Sequence, residues 1–169
     1  MGQVLADSGR RLVYGAGNIG LMGILADAAL AHGGEVVGVI PHFLMAKEVG
    51  HRGLSELIIT DTMHARKARM AGLSDGFVAM PGGYGTMDEL CEILTWAQLG
   101  LHGHPIGLLN TAGYFDGLLR FFDDMTRQGF LRPQNRDMIL VHDQPAALLA
   151  QMTAYRPPQV EKWLDPDRL

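Results

Sequence analysis

The sequence predicts an α/β fold of the Rossmann-like, doubly wound kind, a parallel sheet with helices on both faces. Three observations predict it. Short β-rich runs alternate with helical patterns along the chain, the pattern that parallel βαβ units produce. Two glycine-rich turns, around Gly15-x-Gly17-x-x-Gly20 and Pro81-Gly82-Gly83-Tyr84-Gly85, each follow a strand and open a helix. The chain has 169 residues, 47% hydrophobic and 19% charged, which suits one globular domain with a substantial core.

Taken in order, residues 1–8 read as the back half of a helix that Gly9 stops. Arg11-Leu12-Val13-Tyr14 is a strand, and residues 21–31 are a small-residue helix ended by Gly33-Gly34. Residues 35–40 form a strand stopped by Pro41, and residues 41–54 a long polar loop. Residues 56–60 are a strand, after which Asp61 caps a helix through Met63, Lys67 and Met70 towards Leu73. Strand 76–80 leads into the second glycine turn and a helix over 86–99. Residues 105–110 are a strand. Phe115, Leu118, Leu119, Phe122 and Met125 make one apolar helical face, closed by Gly129. Residues 138–142 and 145–152 supply a last strand and a last helix, and residues 156–169 a proline-containing tail on a single domain.

Composition narrows the function classes. The net charge is −4 and no lysine or arginine run occurs, which argues against a nucleic-acid partner. No apolar stretch approaches the ~20 residues that span a bilayer, so no membrane partner is expected. The first residues lack the basic and apolar regions of a signal peptide. Cys91 is the only cysteine, which excludes an internal disulfide and fits a reducing, cytoplasmic setting. The seven histidines show no metal-ligand spacing on a common element, so no metal site is expected.

In an open parallel sheet, ligands bind beyond the carboxyl ends of the strands. The two glycine turns and the start of the helix after Asp61 are all expected on that rim. Pro81 to Glu89 is the most informative of them. Its glycines let the backbone approach a ligand, and the following helix N-terminus favours an anion, most often a phosphate. Glu89, about one turn on, would set a carboxylate near whatever hangs on that phosphate.

Gly15, Gly17 and Gly20 match the dinucleotide fingerprint, but the next strand ends Val39-Ile40-Pro41-His42 without the acid that holds a ribose. A tight strand-to-helix turn with close packing and a phosphate loop compete evenly there, and NAD comes a distant third. Met63-His64-Ala65-Arg66-Lys67 sets two cations in the second turn of its helix. They read either as a solvated basic face shared with Arg69 or as ligands for a phosphate or purine edge. Glu48 reads as an ordinary loop charge.

Pro81-Gly82-Gly83-Tyr84-Gly85-Thr86-x-x-Glu89 together with Met63-His64-x-Arg66-Lys67 resembles the LONELY GUY family of cytokinin riboside 5′-monophosphate phosphoribohydrolases, often mislabelled as lysine decarboxylases. Tyr14-Gly15-x-Gly17-x-x-Gly20-Leu21-Met22-Gly23, Gly38-Val39-Ile40-Pro41, Thr95-Trp96-Ala97-Gln98-Leu99-Gly100 and Gly129-Phe130-Leu131 extend the resemblance over most of the chain. It implies hydrolysis of the N-glycosidic bond of AMP or an N6-substituted AMP to free base and ribose 5-phosphate, without a cofactor. It implies substrate contacts at Glu48, Arg66, Lys67, Gly83, Tyr84, Gly85, Thr86, Met87, Asp88, Glu89 and Thr95, with Arg66 and Glu89 catalytic. The phosphate falls to Gly15, Gly17, Gly82, Gly83, Gly85 and Thr86. It further implies a homodimer with the site near the interface.

The sequence departs from the family in two ways. The family's opening strand and Gly-Ser-Ser loop have no counterpart, so the usual first strand is expected to be missing. Ala16 replaces a usual glycine and Asp88 a usual glutamate. The alternative function is a non-catalytic nucleotide or molybdenum-cofactor-type binding protein of the same fold. A lysine decarboxylase fails as a reading, because nothing resembles a pyridoxal-phosphate lysine with its pyridine-nitrogen partner.

Overall fold

A computed structural model of the chain describes residues 1–45 and 50–158. The chain divides into two compact units, Met1–Ser74 and Asp75–Leu169.

The first unit holds strands β1 (Leu12–Tyr14), β2 (Val36–Pro41) and β3 (Glu56–Thr60), all parallel, in the order β1-β2-β3. Every residue of β2 is buried, which is why this strand reads as an unbroken apolar run. Helix α1 (Gly2–Asp7) packs on α2 (Leu21–Ala31), whose Ala26 and Ala29 are fully buried against the sheet. Gly23 lets the preceding turn fold back onto α2: a Cβ there would sit 2.5 Å from the Asn18 carbonyl oxygen. Helix α3 (His42–Met45) is a single turn inside what the sequence suggested was loop. Helix α4 (Met63–Gly72) starts at an N-cap that is Thr62 rather than Asp61. The Thr62 hydroxyl accepts from the Ala65 amide at 3.0 Å, the reach an N-cap side chain needs to satisfy an orphan donor.

The second unit holds β4 (Phe77–Ala79), β5 (Ile106–Leu109) and β6 (Ile139–His142), again parallel and in chain order. β5 is the central, fully buried strand. Helix α5 (Tyr84–Gln98) begins two residues earlier than the pattern suggested, with Gly83 as its N-cap. A short 3₁₀ turn (Thr111–Gly113) precedes α6 (Asp116–Arg127), which turns Phe122 inward onto Leu90, Ile106, Leu108 and Ile139. Gly129 follows in the left-handed region at φ +81°, as expected of a helix stop. Helix α7 (Pro133–Arg136) was not foreseen, because a one-turn helix shows no period. Helix α8 (Pro145–Ala154) covers β5 and β6. A Cβ at Gly107 would already stand 3.0 Å from Leu148 Cδ1 and from Met152 Sδ.

The fold class expected from sequence is therefore present as two parallel three-stranded sheets with helices, rather than as one continuous ladder. Both sheets carry their connections at the carboxyl ends of parallel strands, which is what positions the functional segments. Leu148 has no exposed surface, so Leu148→Ala is expected to cost about 2–5 kcal/mol of unfolding free energy. A lower urea midpoint at unchanged m-value checks it.

Candidate functional site

In the first unit, the site is organised by one buried cation. Arg66 lies at the end of the first turn of α4, past the carboxyl end of β3, and only 7% of it is exposed. Its Nε donates to the Val39 carbonyl at 3.2 Å, and its Nη2 to the Gly15 carbonyl at 3.4 Å. Nη1 approaches Met63 Sδ at 3.8 Å. The solvated-face reading fails for Arg66 and holds for Arg69, which is exposed, while Lys67 is half-buried.

The glycines of the first turn take their reason from this packing. A Cβ on Gly15 would overlap the Arg66 guanidinium, and one on Gly17 would stand 2.9 Å from Met22 Cε. Gly20, the N-cap of α2, has φ +64°. Ala16 has φ +61° and is fully buried, so the position where the family usually carries glycine is a left-handed one. An L-residue there costs roughly 1–2 kcal/mol. Ala16 also meets β2 closely: a Cβ on Gly38 would sit 2.7 Å from its methyl.

A second buried group was missed by sequence reasoning. His51 is 9% exposed, with Nε2 2.8 Å from Asp27 Oδ1. Its Nδ1 accepts from the Gly53 amide at 3.1 Å, so the proton sits on Nε2 and is donated to Asp27. The His51 amide in turn donates to the Ala16 carbonyl at 3.1 Å, and Gly50 bridges to Gly17. His51 thus fastens its loop to the first glycine turn. The only signal in the sequence was a lone acid, Asp27, in an otherwise apolar helix. Glu48, the expected substrate contact of that loop, lies outside the described residues.

Beside this pair, Tyr14 ends β1 with its hydroxyl buried. Burial, and secondarily the charge of Asp27, pushes its phenol up to about 12.

In the second unit, β4 runs through Pro81, Gly82 and Gly83 into α5. Gly83 caps the helix with backbone alone, so no side chain occupies the first-turn N–H groups as a cap. A Cβ on Gly83 or Gly85 would meet nothing within 4 Å, so the turn is open from outside. On Gly82 it would run into the Thr86 hydroxyl, which sits over the turn. Tyr84 is 97% exposed. Asp88 is exposed and Glu89 half-buried in the second helical turn. The Met87 side chain packs on the apolar core, and the Thr95 hydroxyl donates to the Cys91 carbonyl of its own helix at 2.7 Å. The structure therefore brings Gly15 together with Arg66, and Gly82 together with Thr86. Among the described residues no cluster of three or more His, Cys, Asp or Glu is arranged to hold a metal.

The fold and these turns define a Rossmann-like α/β protein. Among solved structures, it is similar to the molybdenum cofactor carrier protein of Chlamydomonas reinhardtii, with a TM-score of 0.64 and 22% identity over 91% of this chain and 84% of that one. The molybdenum cofactor binding protein of Rippkaea orientalis matches at 0.64 and 20%, over 90% and 82%. A family model described as "Possible lysine decarboxylase" matches residues 22–152. Among curated proteins, a "Probable cytokinin riboside 5'-monophosphate phosphoribohydrolase" of Oryza sativa subsp. japonica is 46% identical over 94% of this chain and 64% of its own length. A cytokinin riboside 5'-monophosphate phosphoribohydrolase of Arabidopsis thaliana is 44% identical over 93% of this chain and 74% of its own. The chain belongs to the LONELY GUY family. It spans 64% of the length of the first of these plant relatives.

Two outcomes test the geometry of the first unit. Gly15→Ala should destabilise the protein, and should do so less once Arg66→Ala has removed the guanidinium it collides with. A double-mutant cycle in urea should return a coupling on the order of 1 kcal/mol, and strict additivity would mean the guanidinium moves aside at no cost. For Tyr14, the unfolded phenol ionises near pH 10 and the folded one near 12. Stability is then full below about pH 10 and falls on the way to 12, by on the order of 2–3 kcal/mol. Denaturation across that range should show the loss, and Tyr14→Phe should flatten it.

Proposed function

We propose that the protein hydrolyses the N-glycosidic bond of an adenine-type nucleoside 5′-monophosphate, AMP or an N6-substituted AMP, releasing free base and ribose 5-phosphate. One observation carries the reading: across 92–94% of its length the chain is 44–47% identical to proteins named cytokinin riboside 5'-monophosphate phosphoribohydrolase or probable ones. The open glycine turn and the buried arginine are chemically suited to it.

In this reading the N–H groups of Gly83 to Thr86 and the Thr86 hydroxyl hold the 5′-phosphate, helped by the positive end of α5. Gly82 and Gly17 contribute by close backbone approach. Anchoring a remote phosphate fixes the ribose, and positioning of this kind lowers barriers by up to about 7–11 kcal/mol in the best intramolecular cases. Cleavage passes through an oxocarbenium-like state, in which C1′–N9 breaks as a water oxygen bonds to C1′. The electron pair leaves with the base, and a water proton completes the products. Glu89 supplies the carboxylate, either facing the ribose cation or polarising the water. Arg66 donates to the departing purine or to the phosphate, and Lys67 adds a second cation. Glu48, Tyr84, Asp88 and Thr95 complete the substrate contacts, and Met87 shapes the turn from below.

The same reading takes the working protein as a cytoplasmic homodimer. Its support is the exposed apolar surface at and just before α2, where Ile19, Leu21 and Ile24 are 71%, 54% and 64% exposed. Sedimentation of the purified chain tests the dimer.

Incubation with AMP and with N6-isopentenyl-AMP, followed by assay of free base and ribose 5-phosphate, tests the activity. Glu89→Gln is expected to lower the rate at least 100-fold with an unchanged melting temperature. Near-wild-type turnover in that variant would remove Glu89 from the mechanism. Nucleotide binding without any product would favour a binding protein of the same fold.

A further inference from the structure

Tyr114 stands out among the exposed apolar residues because its hydroxyl is engaged far from its own element. The residue is 54% exposed, yet Oη donates to the Gly82 carbonyl at 2.6 Å, across 32 positions of sequence. We propose that Tyr114 is a positioning residue for the glycine turn at the start of α5. It would orient the backbone donor that this turn offers to an anion, which on the functional reading above is the 5′-phosphate of the substrate.

The physical argument runs through one peptide plane. In a trans peptide, the carbonyl of Gly82 and the N–H of Gly83 point in opposite directions. Holding the Gly82 oxygen therefore aims the Gly83 N–H to the other side of the turn. Two adjacent glycines would otherwise let that plane rotate at little cost, since neither has a Cβ to bar it. The substitution-free turn gains an open approach and loses rigidity, and the tyrosine restores the rigidity from outside.

Tyr114 is itself held. Its ring meets Phe115 edge-on, with centroids 5.0 Å apart and planes at 89°, and Phe115 is 1% exposed. The Phe115 amide donates to Asn110 Oδ1 at 2.7 Å, the Asn110 amide to the His142 carbonyl at 2.9 Å, and Asn110 Nδ2 to Asp116 Oδ1 at 2.8 Å. Between these anchors the chain bends through two left-handed residues, Ala112 at φ +53° and Gly113 at φ +71°. An L-residue takes that conformation only against a steric penalty, and here the bend delivers Tyr114 to the turn.

The test is Tyr114→Phe in the full chain, which removes the hydroxyl and keeps the ring on Phe115. Amide exchange at Gly83 to Thr86 is expected to rise while that of α6 stays unchanged. Affinity for ribose 5-phosphate, measured by calorimetry, is expected to fall about three- to tenfold at an unchanged melting temperature. Unchanged exchange and unchanged affinity would overturn the proposal. So would parallel losses in melting temperature and in α6 protection, which would make Tyr114 an ordinary structural residue. Wild-type protein that neither cleaves AMP nor binds ribose 5-phosphate would overturn the functional reading separately, and the exchange data would still decide the Tyr114 contact.

Discussion

The buried guanidinium of Arg66 is the constraint around which the first unit is arranged. A cation taken out of water must be met by acceptors, and here the carbonyls of Val39 and Gly15 meet it. Those carbonyls belong to Val39, in the second half of β2, and to the residue just past β1, so the charge ties two strands to α4. The side chain fits only because residue 15 has no Cβ. The Gly15-x-Gly17 pattern is thus explained by packing around Arg66 and Met22. His51 draws its loop onto the same turn through the Ala16 carbonyl, and Asp27 accepts from its other side.

The second unit solves a different problem. On the proposed function, its glycine turn has to be open enough for a ligand and firm enough to present donors. Openness comes from Gly83 and Gly85, beyond whose backbone there is free space. Firmness comes from Thr86 over Gly82 within the turn, and from Tyr114, distant in sequence, on the Gly82 carbonyl. Cost and benefit are separated along the chain, with the strained backbone at Ala112 and the presented amides at the head of α5.

Much of the architecture was legible because each sheet has a fully buried central strand and α6 turns one apolar face inward. Residues 35–40 and 105–110 read as strands, against Val36–Pro41 and Ile106–Leu109 in the structure, and Phe115 to Met125 as a 3.6-residue period. Element ends were less legible. Asp61 and Thr62 are both good capping residues, and only the geometry of the first turn chose Thr62. The start of α5 was read at Thr86 because glycines count against helix, whereas Gly83 caps and Gly85 sits in the first turn.

By itself the sequence determined the α/β class, the order of strands and of every helix longer than one turn, the two glycine turns and the family, because these rest on local patterns and on runs of residue identity. Tertiary structure alone decided which of Arg66, Lys67 and Arg69 goes inside, why residue 15 is glycine, and that His51 and Tyr114 act on turns remote in sequence. Each of those depends on atoms brought together from distant positions, and a buried charge, a missing Cβ or a hydroxyl on a carbonyl leaves no period in the chain.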